Sequence, residues 1–396
     1  MKRSLAILFF TLVVTMLSFG IVIPILPFYV EAFHGGGLAM GFLMAIFSLM
    51  QFIFSPLWGS VSDRYGRKPM LLLGAFGNAI ALALMGFANN LLVLYAGRAL
   101  GGILSCATLP TAMAFISDTT SEEERGGGMG LTGAAMGLGM VLGPGLGGAL
   151  AKNSLHPPFF VGAGLSLLAV ILIWAFLPES LPIEKRDQSI HVRGPQLSII
   201  WKALFGPLGF LLMLAFLHNF ALTNFEGIFG YYAQRRYDYD PATIGLILTF
   251  VGLTSAIVQG MLTGPATRKW GDVAVTKASL FASIFGFSLM LLANSLATVI
   301  LTTSLFILSN AMLRPGVASL ISKRATSGQG MAMGLNNAFM SLGRIVGPLW
   351  AGGVLDINLG YPFVTGAVIM LIGFVASLFY LREGLPAKNI QSVSAD

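Results

Sequence analysis

The hydrophobic residues of this chain form long, nearly uninterrupted runs, and most polar residues lie in the short segments between them. An α-helix needs about 20 consecutive apolar residues to cross the hydrocarbon core of a bilayer. The pattern contains twelve such runs, so it predicts twelve transmembrane helices, numbered helix 1 to helix 12 in chain order. They lie near residues 4–30, 39–61, 70–88, 91–116, 127–151, 158–177, 206–233, 241–266, 273–293, 296–321, 329–353 and 361–381.

Helix 5 contains a row of glycines that is not typical of a water-soluble helix. Gly139, Gly143 and Gly147 recur every four residues, so they share one helix face and leave a groove that another backbone can approach closely. Neighbouring membrane helices can satisfy the backbone groups that a proline frees inside such a helix. The full pattern, which we call the helix 5 motif, consists of Gly130, Gly139, Gly143, Pro144, Gly147 and Gly148. It predicts a tightly packed, bent membrane helix.

The chain repeats itself. The helix 5 motif returns at Gly334, Gly343, Gly347, Pro348 and Gly352, each 204 positions after its counterpart, and the segment 59–68 is echoed by 264–272 at an offset of 205. We therefore predict an all-α membrane protein whose twelve transmembrane helices form two pseudo-symmetric six-helix bundles. The N-terminal bundle spans residues 1–177, a proline-containing and charged cytoplasmic linker spans 178–205, and the C-terminal bundle with a short cytoplasmic tail spans 206–396.

Composition and charge agree with a membrane protein. Hydrophobic residues make up 56% and charged residues 10% of the chain, and the mean hydropathy of +0.82 is too high for a soluble globular protein. Lys and Arg are concentrated at the termini and in the even-numbered loops, whereas the odd-numbered loops hold only Lys152, Arg235 and Arg236. We therefore expect a multi-pass protein of the cell membrane with both termini cytoplasmic. The net charge of +7 then needs no nucleic-acid partner.

The sequence lacks the residues that several classes of function require. Cys106 is the sole cysteine and the four histidines are scattered along the chain, so we expect neither an internal disulfide nor a metal site. No G-x-x-x-x-G-K-[ST] sequence occurs, so we expect no ATP hydrolysis by this chain. Transport energy would come from a gradient or from a partner, and we expect no cofactor. No nucleophile, acid and base lie together within the spans, so we do not expect an enzyme.

Two motifs and the repeat resemble the major facilitator superfamily of secondary transporters over essentially the whole chain. The first motif, between helices 2 and 3, consists of Gly59, Asp63, Arg64, Gly66, Arg67 and Lys68. The second is the helix 5 motif, which in this superfamily is associated with drug/proton antiporters. The segments 224–232 and 313–315, together with Pro24 and Pro27, are similar to the NorA-type multidrug exporters.

The resemblance implies a role for the loop between helices 2 and 3. In the family this loop is a latch that closes the cytoplasmic side, with its Asp at a helix N-terminus and its Arg residues paired with acids. Asp63, Arg64, Gly66, Arg67 and Lys68 inherit those roles by resemblance. A carboxylate near a helix N-terminus gains roughly 0.3–1 kcal/mol, which agrees with this assignment. The alternative is a basic turn that only sets topology. Arg268 stands where the second repeat would carry the Asp, so we expect that copy to have lost the latch.

The charged residues predicted well inside spans are Glu226, Arg98, Arg314 and Arg344. Glu226 in helix 7 is the sole carboxylate well inside a span, so it is the candidate proton site. Counting along the helices places Arg98 of helix 4 at the depth of Glu226 and Arg314 of helix 10 about 18 Å deeper. Because helices 1, 4, 7 and 10 line the cavity in the superfamily, we expect Arg98, rather than Arg314, to face Glu226. A glutamate hydrogen-bonded between helices is the alternative.

The resemblance also implies a second acid in helix 10, but Ala311 occupies that position, so coupling rests on Glu226 alone or is absent. Three intramembrane Arg against one Glu leave two excess positive charges, which favours zwitterions or weak acids with aromatic bodies over dications. Flexible Met and aromatic side chains can adapt to many shapes. The candidate substrate-binding residues are Met16, Phe19, Gln51, Met136, Met140, Phe220, Phe229 and Arg344. For any single Met or Phe, simple packing is the alternative role.

The leading functional prediction is proton-coupled efflux of amphipathic drugs by alternating access. The expected partners are small drug-like substrates, protons and the lipid bilayer, and the chain is expected to act as a monomer. Within the same fold, the alternatives are an importer or a narrower exporter of tetracycline, sugar or lipid. A transport-inactive membrane sensor is a further alternative, although no large soluble domain is present in the sequence.

Overall fold

The computed structural model describes residues 2–186, 197–325 and 328–381. The central part of the predicted linker, 187–196, and the predicted tail from residue 382 onward lie outside the described residues. Every regular element in the described part is helical, and this confirms the predicted all-α class.

The first repeat contains eight α-helices in its described residues. Helices α1 and α2 form predicted helix 1, α5 and α6 form helix 4, and each of the others forms one span. Their bounds are α1 Lys2–Val22, α2 Leu26–Ala32, α3 Gly37–Tyr65, α4 Arg67–Gly86, α5 Leu91–Leu104, α6 Thr108–Thr119, α7 Glu122–Leu150 and α8 Pro157–Phe176.

A short helix in the predicted linker, α9, precedes the second repeat. Helices α10 and α11 form predicted helix 7, and α14 and α15 form helix 10. The bounds are α9 Leu197–Leu204, α10 Gly209–Glu226, α11 Phe229–Tyr237, α12 Pro241–Ile257, α13 Thr263–Met290, α14 Leu296–Asn310, α15 Leu313–Arg324, α16 Gln329–Leu355 and α17 Tyr361–Tyr380.

The described structure contains eleven helical stretches that are long and apolar enough to cross a membrane. One of them, Pro241–Met290, has 50 residues and is interrupted at Gly271, where φ is 78°. Gly66, at the equivalent position of the first repeat, has φ of 106° and separates α3 from α4. Glycine adopts this region without the steric cost that a Cβ would add. The stretch therefore supplies two spans, and the twelve-helix prediction is confirmed.

Helices 1, 4, 7 and 10 are each divided by a break in the helix. The α5–α6 junction is a short 3₁₀ segment before Pro110, and the α14–α15 junction is a turn before Pro315, its equivalent in the second repeat. Proline is tolerated in the first turn of a helix but not in its interior, so a helix tends to restart at such a residue. Predicted helix 1 restarts before Pro27, and helix 7 is divided at Gly227.

Contacts divide the chain into two compact units, which are described separately. Unit 1 comprises Met1–Gln196, Thr223–Leu253 and Arg344–Pro362. Unit 2 comprises Leu197–Leu222, Thr254–Gly343 and Phe363–Asp396. The domain boundaries predicted from the repeat, at residues 177 and 206, remain a prediction.

In unit 1, α1 occupies the groove formed by the glycine row of α7. A Cβ built on Gly143 would lie 2.8 Å from the Cα of Gly20, and one built on Gly139 would lie 2.6 Å from the Cβ of Met16. A Cβ on Gly147 would overlap the carbonyl of Ile21. The two backbones are therefore in direct contact along this row, and no larger residue fits there without a shift.

Unit 1 also contains two equivalent helix crossings. At the α7–α12 crossing, Gly148 contacts the Pro241 carbonyl and Gly245 contacts the Pro144 carbonyl. At the α3–α16 crossing, Gly352 contacts the Gly37 carbonyl and Gly41 contacts the Pro348 carbonyl, so every residue has its counterpart 204 positions away. The repeat seen in the sequence is thus also present in the backbone contacts.

Unit 2 is held together by the same kind of packing, combined with contacts between aromatic rings. A Cβ on Gly343 of α16 would lie 2.8 Å from the backbone nitrogen of Phe220 in α10. A Cβ on Gly286 of α13 would lie 2.8 Å from the Cα of Phe306 in α14. The rings of Phe287 and Phe306 are 4.4 Å apart. Small residues therefore set the distance between helices, and aromatic rings fill the adjoining space.

The glycine row provides the first testable prediction. We expect Gly143→Leu to insert into membranes but to lose transport, because the new side chain must occupy the space of the α1 backbone. Gly133→Leu on the same helix is the control, since a Cβ at Gly133 meets nothing within 4 Å. Membrane yield, thermal unfolding and transport by reconstituted protein measure the difference. Near-normal transport by the Gly143 variant would rule out this role for the row.

Candidate functional site

Glu226 ends α10 at the break in predicted helix 7, inside the candidate span Gly209–Tyr237. A Cβ built on the next residue, Gly227, would lie 3.1 Å from the Cβ of Pro348 in α16. Arg344 precedes Pro348 by one helical turn and therefore lies on the same face of α16. Its guanidinium is the charged group that acts on the half-buried Glu226 carboxyl. Both residues belong to unit 1.

Arg98, the partner expected for Glu226, is instead bound within the first repeat. Its side chain is only 3% exposed, and its Nε donates a hydrogen bond to the Leu43 carbonyl at 3.0 Å. The guanidinium also lies 4.6 Å from the ring centroid of Phe47 and 5.6 Å from that of Phe19. The described contacts of Arg98 therefore do not include Glu226, because equal depth does not determine the direction in which a side chain points. The pairing of Arg98 with Glu226 stays a prediction.

Arg314 lies in unit 2, at the start of α15. Its side chain is exposed, although it lies in the interior of the candidate span Leu296–Arg324. None of the ion pairs formed by the described residues includes Arg314. As expected from its depth, it is not the cation next to Glu226.

The candidate substrate-binding residues fall into two groups. Met16, Phe19, Gln51, Met136 and Met140 are half-buried in unit 1. The Phe19 ring lies 5.4 Å from the Phe47 ring, so Phe19 belongs to the same cluster as Arg98. Phe220 and Phe229 are only 5% and 2% exposed. They pack against Phe216 and Phe225, at 6.0 and 5.0 Å between ring centroids, and belong to the cores of their units rather than to an open wall.

The loop between α3 and α4 forms a network centred on Arg67. Its Nε donates to Asp118 at 2.9 Å and its Nη1 donates to the Ser62 hydroxyl at 2.8 Å. It also pairs with Asp63 one turn earlier. Arg67 is buried, so its charge is balanced by both carboxylates. Asp118 was not predicted as a member, because residues 118–125 have the sequence of a solvated acidic loop before helix 5.

Glu179 is a second member of this network that the sequence did not reveal. Its carboxylate accepts hydrogen bonds from the backbone N–H groups of Arg67 at 2.8 Å and Lys68 at 3.2 Å. These groups begin α4, whose N-cap residue, Gly66, has no side chain to bond them. The glycine at the N-cap of α4 is the feature of the sequence that could have indicated a hydrogen-bond acceptor from elsewhere in the chain.

The remaining residues of the loop have more open surroundings. Arg64 lies over the Tyr65 ring, 5.4 Å from its centroid, and a Cβ on Gly59 would meet nothing within 4 Å. Asp63 is 47% exposed, and its ion pair in the described structure is with Arg67. The described contacts of Asp63 therefore do not include the helix N-terminus that the resemblance implied, although Arg67 does pair with acids.

The second repeat keeps the ion pair with its charges exchanged. Asp272, 205 positions after Arg67, accepts a hydrogen bond from Lys323 at 2.6 Å, and Lys323 is 205 positions after Asp118. Ser319 donates to the same carboxylate oxygen at 2.7 Å. The expectation that this copy had lost its latch considered only the Asp63 position, where Arg268 stands. The link between helices 9 and 10 is nevertheless present.

No group of three or more His, Cys, Asp or Glu residues that could bind a metal ion occurs in the described part of the chain. The sole cysteine, Cys106, is buried in the 3₁₀ segment between α5 and α6. Gly130, at the other end of the helix 5 motif, has open space where a Cβ would be. The charged residues described above are therefore the main chemical features of the spans.

Comparison with known proteins gives a consistent result. The sequence profile of the Major Facilitator Superfamily matches residues 8–240 and 211–395. The chain is 32% identical to multidrug resistance protein 1 of Bacillus subtilis, over 95% of both chains. It is 28% identical to the quinolone resistance protein NorA of Staphylococcus aureus, over 98% of this chain and 99% of NorA. The crystal structure of the human organic anion transporter MFSD10 superimposes with a TM-score of 0.70 at 26% identity, over 95% of this chain and 99% of MFSD10.

The Arg67 network provides the second prediction. We expect Arg67→Gln to lower the free energy of unfolding by about 1–3 kcal/mol, because two carboxylates lose their cation in a partly buried place. Arg64→Gln removes the same charge from the same loop but only a stacking contact, so it is the matched control. Thermal unfolding in detergent measures both. Equal effects of the two substitutions would contradict the central position of Arg67.

Proposed function

Because the chain belongs to the Major Facilitator Superfamily, we propose that it is a secondary transporter that exports amphipathic drug-like molecules in exchange for protons. The observation that carries this proposal is the Glu226 carboxyl, which lies within a span next to Arg344. The names of multidrug resistance protein 1 and NorA, which match nearly the full chain, support drugs as the substrate class. The distribution of Lys and Arg supports a cell-membrane protein with cytoplasmic termini. We further propose that the chain acts as a monomer and needs no cofactor.

The electrostatic influence of Arg344 on Glu226 gives a physical basis for proton exchange. When the guanidinium is close to the carboxyl, it favours the charged carboxylate, whereas separation of the two in an apolar environment favours the protonated form. Glu226 lies at a helix break and Arg344 lies on a different helix, so a relative movement of α10 and α16 changes their distance. Such a movement couples proton occupancy to the alternation between inward and outward access.

The remaining charges support substrates that carry a negative group. If Arg344 balances Glu226, the charges of Arg98 and Arg314 remain. Arg98 is stabilised by a carbonyl and two aromatic rings, whereas Arg314 is exposed within its span. A carboxylate on an aromatic substrate would supply the missing counter-charge at Arg314. The likeness to MFSD10, described as an organic anion transporter, points in the same direction. A narrower exporter of tetracycline, sugar or lipid is the alternative.

The third prediction concerns proton coupling. We expect Glu226→Gln to bind substrate but to lose uphill transport driven by a pH step, because glutamine preserves size and hydrogen bonding but cannot release a proton. Glu184→Gln, which changes an exposed carboxyl in the predicted linker, is the control. Substrate accumulation in proteoliposomes with and without the pH step measures both variants. Wild-type accumulation by the Glu226 variant would place the coupling elsewhere.

The same assay tests which cation serves Glu226. We expect Arg344→Gln to change the pH profile of uphill transport, because it removes the charge that faces the carboxyl. Arg98→Gln is expected to leave the profile in place, since its hydrogen bond goes to the Leu43 carbonyl. The opposite result would restore the pairing of Glu226 with Arg98.

The fourth prediction concerns the charge of the substrate. Pyrenebutyrate, its methyl ester and pyrenebutylamine share one aromatic body and differ in charge, so they make a matched set of competitors. We expect Arg314→Gln to weaken competition by pyrenebutyrate about tenfold, the effect of roughly one charge-assisted hydrogen bond, and to leave the ester unchanged. Arg236→Gln, which changes an exposed arginine in the last turn of α11, is the control. Equal losses for all three compounds would rule out recognition of the negative charge.

A further inference from the structure

Asp356, directly after α16, makes an unusual contact with the start of α3. Its Oδ1 accepts a hydrogen bond from the Gly37 N–H at 2.6 Å, and its Oδ2 accepts one from the Leu38 N–H at 2.9 Å. The N-cap residue of α3 is Gly36, which has no side chain to bond these groups. The first turn of α3 is therefore capped by a residue that is more than 300 positions away in the sequence.

This cap is stronger than a neutral one. A carboxylate at a helix N-terminus interacts favourably with the helix dipole, and hydrogen bonds to a charged acceptor are stronger than neutral ones. The glycines are required for the approach, because a Cβ on Gly36 would lie 2.8 Å from Oδ1 of Asp356. The start of α3 therefore offers both the positive end of a helix dipole and the room that the Asp356 carboxylate needs.

The cap lies beside the α3–α16 crossing, where Gly37 contacts Gly352 and Gly41 contacts Pro348. It therefore joins a helix of the first repeat to the end of a helix of the second repeat, at a point where the two backbones already touch. For these helices to separate here, both the backbone contacts and the two hydrogen bonds of Asp356 must break.

The equivalent α7–α12 crossing has the same backbone contacts but a different cap. Asp240 stands at the position of Gly36 and Lys152 at the position of Asp356. Asp240 accepts a hydrogen bond from the Thr243 N–H at 2.8 Å, within its own helix start. Hydrogen bonds from Thr243, together with the charge of Lys152, lower the pKa of Asp240, so it is ionised at neutral pH. Its hydrogen bonds do not join two helices.

We propose that Asp356 is a positioning residue of the transport cycle, a clamp whose carboxylate holds α3 and α16 together when the outer side is closed. Release of this cap is part of outward opening, so the clamp sets the balance between the two access states. The assignment of this end as the outer one, and of a transport cycle to the chain, rests on the proposed function. Asp356 touches neither Glu226 nor Arg344 through any described contact.

The test measures outward opening at the other crossing. In a Cys106→Ser background, Leu248→Cys places a thiol on α12 at a position that is 6% exposed in the closed structure. A membrane-impermeant maleimide is added outside intact cells, and the labelling rate reports how often this position becomes accessible. Because Leu248 lies on a different helix from both partners of the cap, fraying of α3 alone does not change the rate.

We expect Asp356→Asn and Asp356→Ala to raise the labelling rate about tenfold, because the charge-assisted cap is lost. Asp356→Glu, which keeps the carboxylate, is expected to restore part of the slow labelling. The matched control is Asp238→Asn, which removes one charge from an exposed residue in the loop between α11 and α12, at a left-handed backbone position that asparagine tolerates. An unchanged rate in both Asp356 variants, or an equal rise in the Asp238 variant, would overturn the clamp.

Failure of the clamp and failure of the proposed function give different results. If the maleimide reaches Leu248→Cys only from the cytoplasmic side of inverted vesicles, the proposed orientation is wrong, and the effect of Asp356 is then read from that side. If the labelling rates change as expected but reconstituted protein moves no drug along a pH gradient, the export proposal fails and the clamp remains. If the wild type exports drug normally and the Asp356 variants label at the unchanged rate, the clamp proposal fails and the proposed function stands.

Discussion

Inside a bilayer, neighbouring helices gain little hydrophobic free energy from each other, because lipid is as apolar as leucine, so their association depends on close van der Waals contact. The contact of α1 with Gly139, Gly143 and Gly147 meets this requirement, since each glycine lets one backbone touch another. The α7–α12 and α3–α16 crossings in unit 1 use the same device. The positions of the charged side chains follow from these contacts, because the contacts fix how each helix is rotated about its axis.

The cost of burying a charge explains how those side chains are arranged. Arg67 and Asp272 are buried and have oppositely charged partners, and Arg98 combines a carbonyl with two aromatic rings. Each arrangement compensates for lost hydration. Glu226 differs, because it lies at the break between α10 and α11, and the charge that acts on it is Arg344 of α16. A charge whose compensation depends on helix position is suited to coupling a proton to a conformational change.

Much of the fold could be predicted from the sequence, whereas the partners of the charged residues could not. Apolar runs and glycine spacing are local features of the sequence. The twelve helices, the repeat and the glycine groove can therefore be predicted from the sequence alone. The pairing of Arg98 with Glu226 was inferred from depth alone, and depth leaves the rotation of each helix undetermined. Glu179 and Asp356 bond helix starts far away in the sequence, and only the glycines at Gly66 and Gly36 indicate that those helix starts lack their own caps.

The two repeats agree in their backbone contacts and differ in their charges. The contacts and the charges follow different physical requirements. A close backbone contact requires a residue without a Cβ. No other residue type can therefore replace the paired glycines of the two crossings, Gly148 with Gly352 and Gly245 with Gly41. The Coulomb attraction between two opposite charges is the same when the charges exchange places. Arg67 with Asp118 and Asp272 with Lys323 are therefore equivalent links. Exchange at a helix start is not equivalent, because the backbone N–H groups there always favour an anion. A lysine at position 152 therefore cannot cap α12 as Asp356 caps α3, and the otherwise symmetric crossings must differ in how strongly they are held.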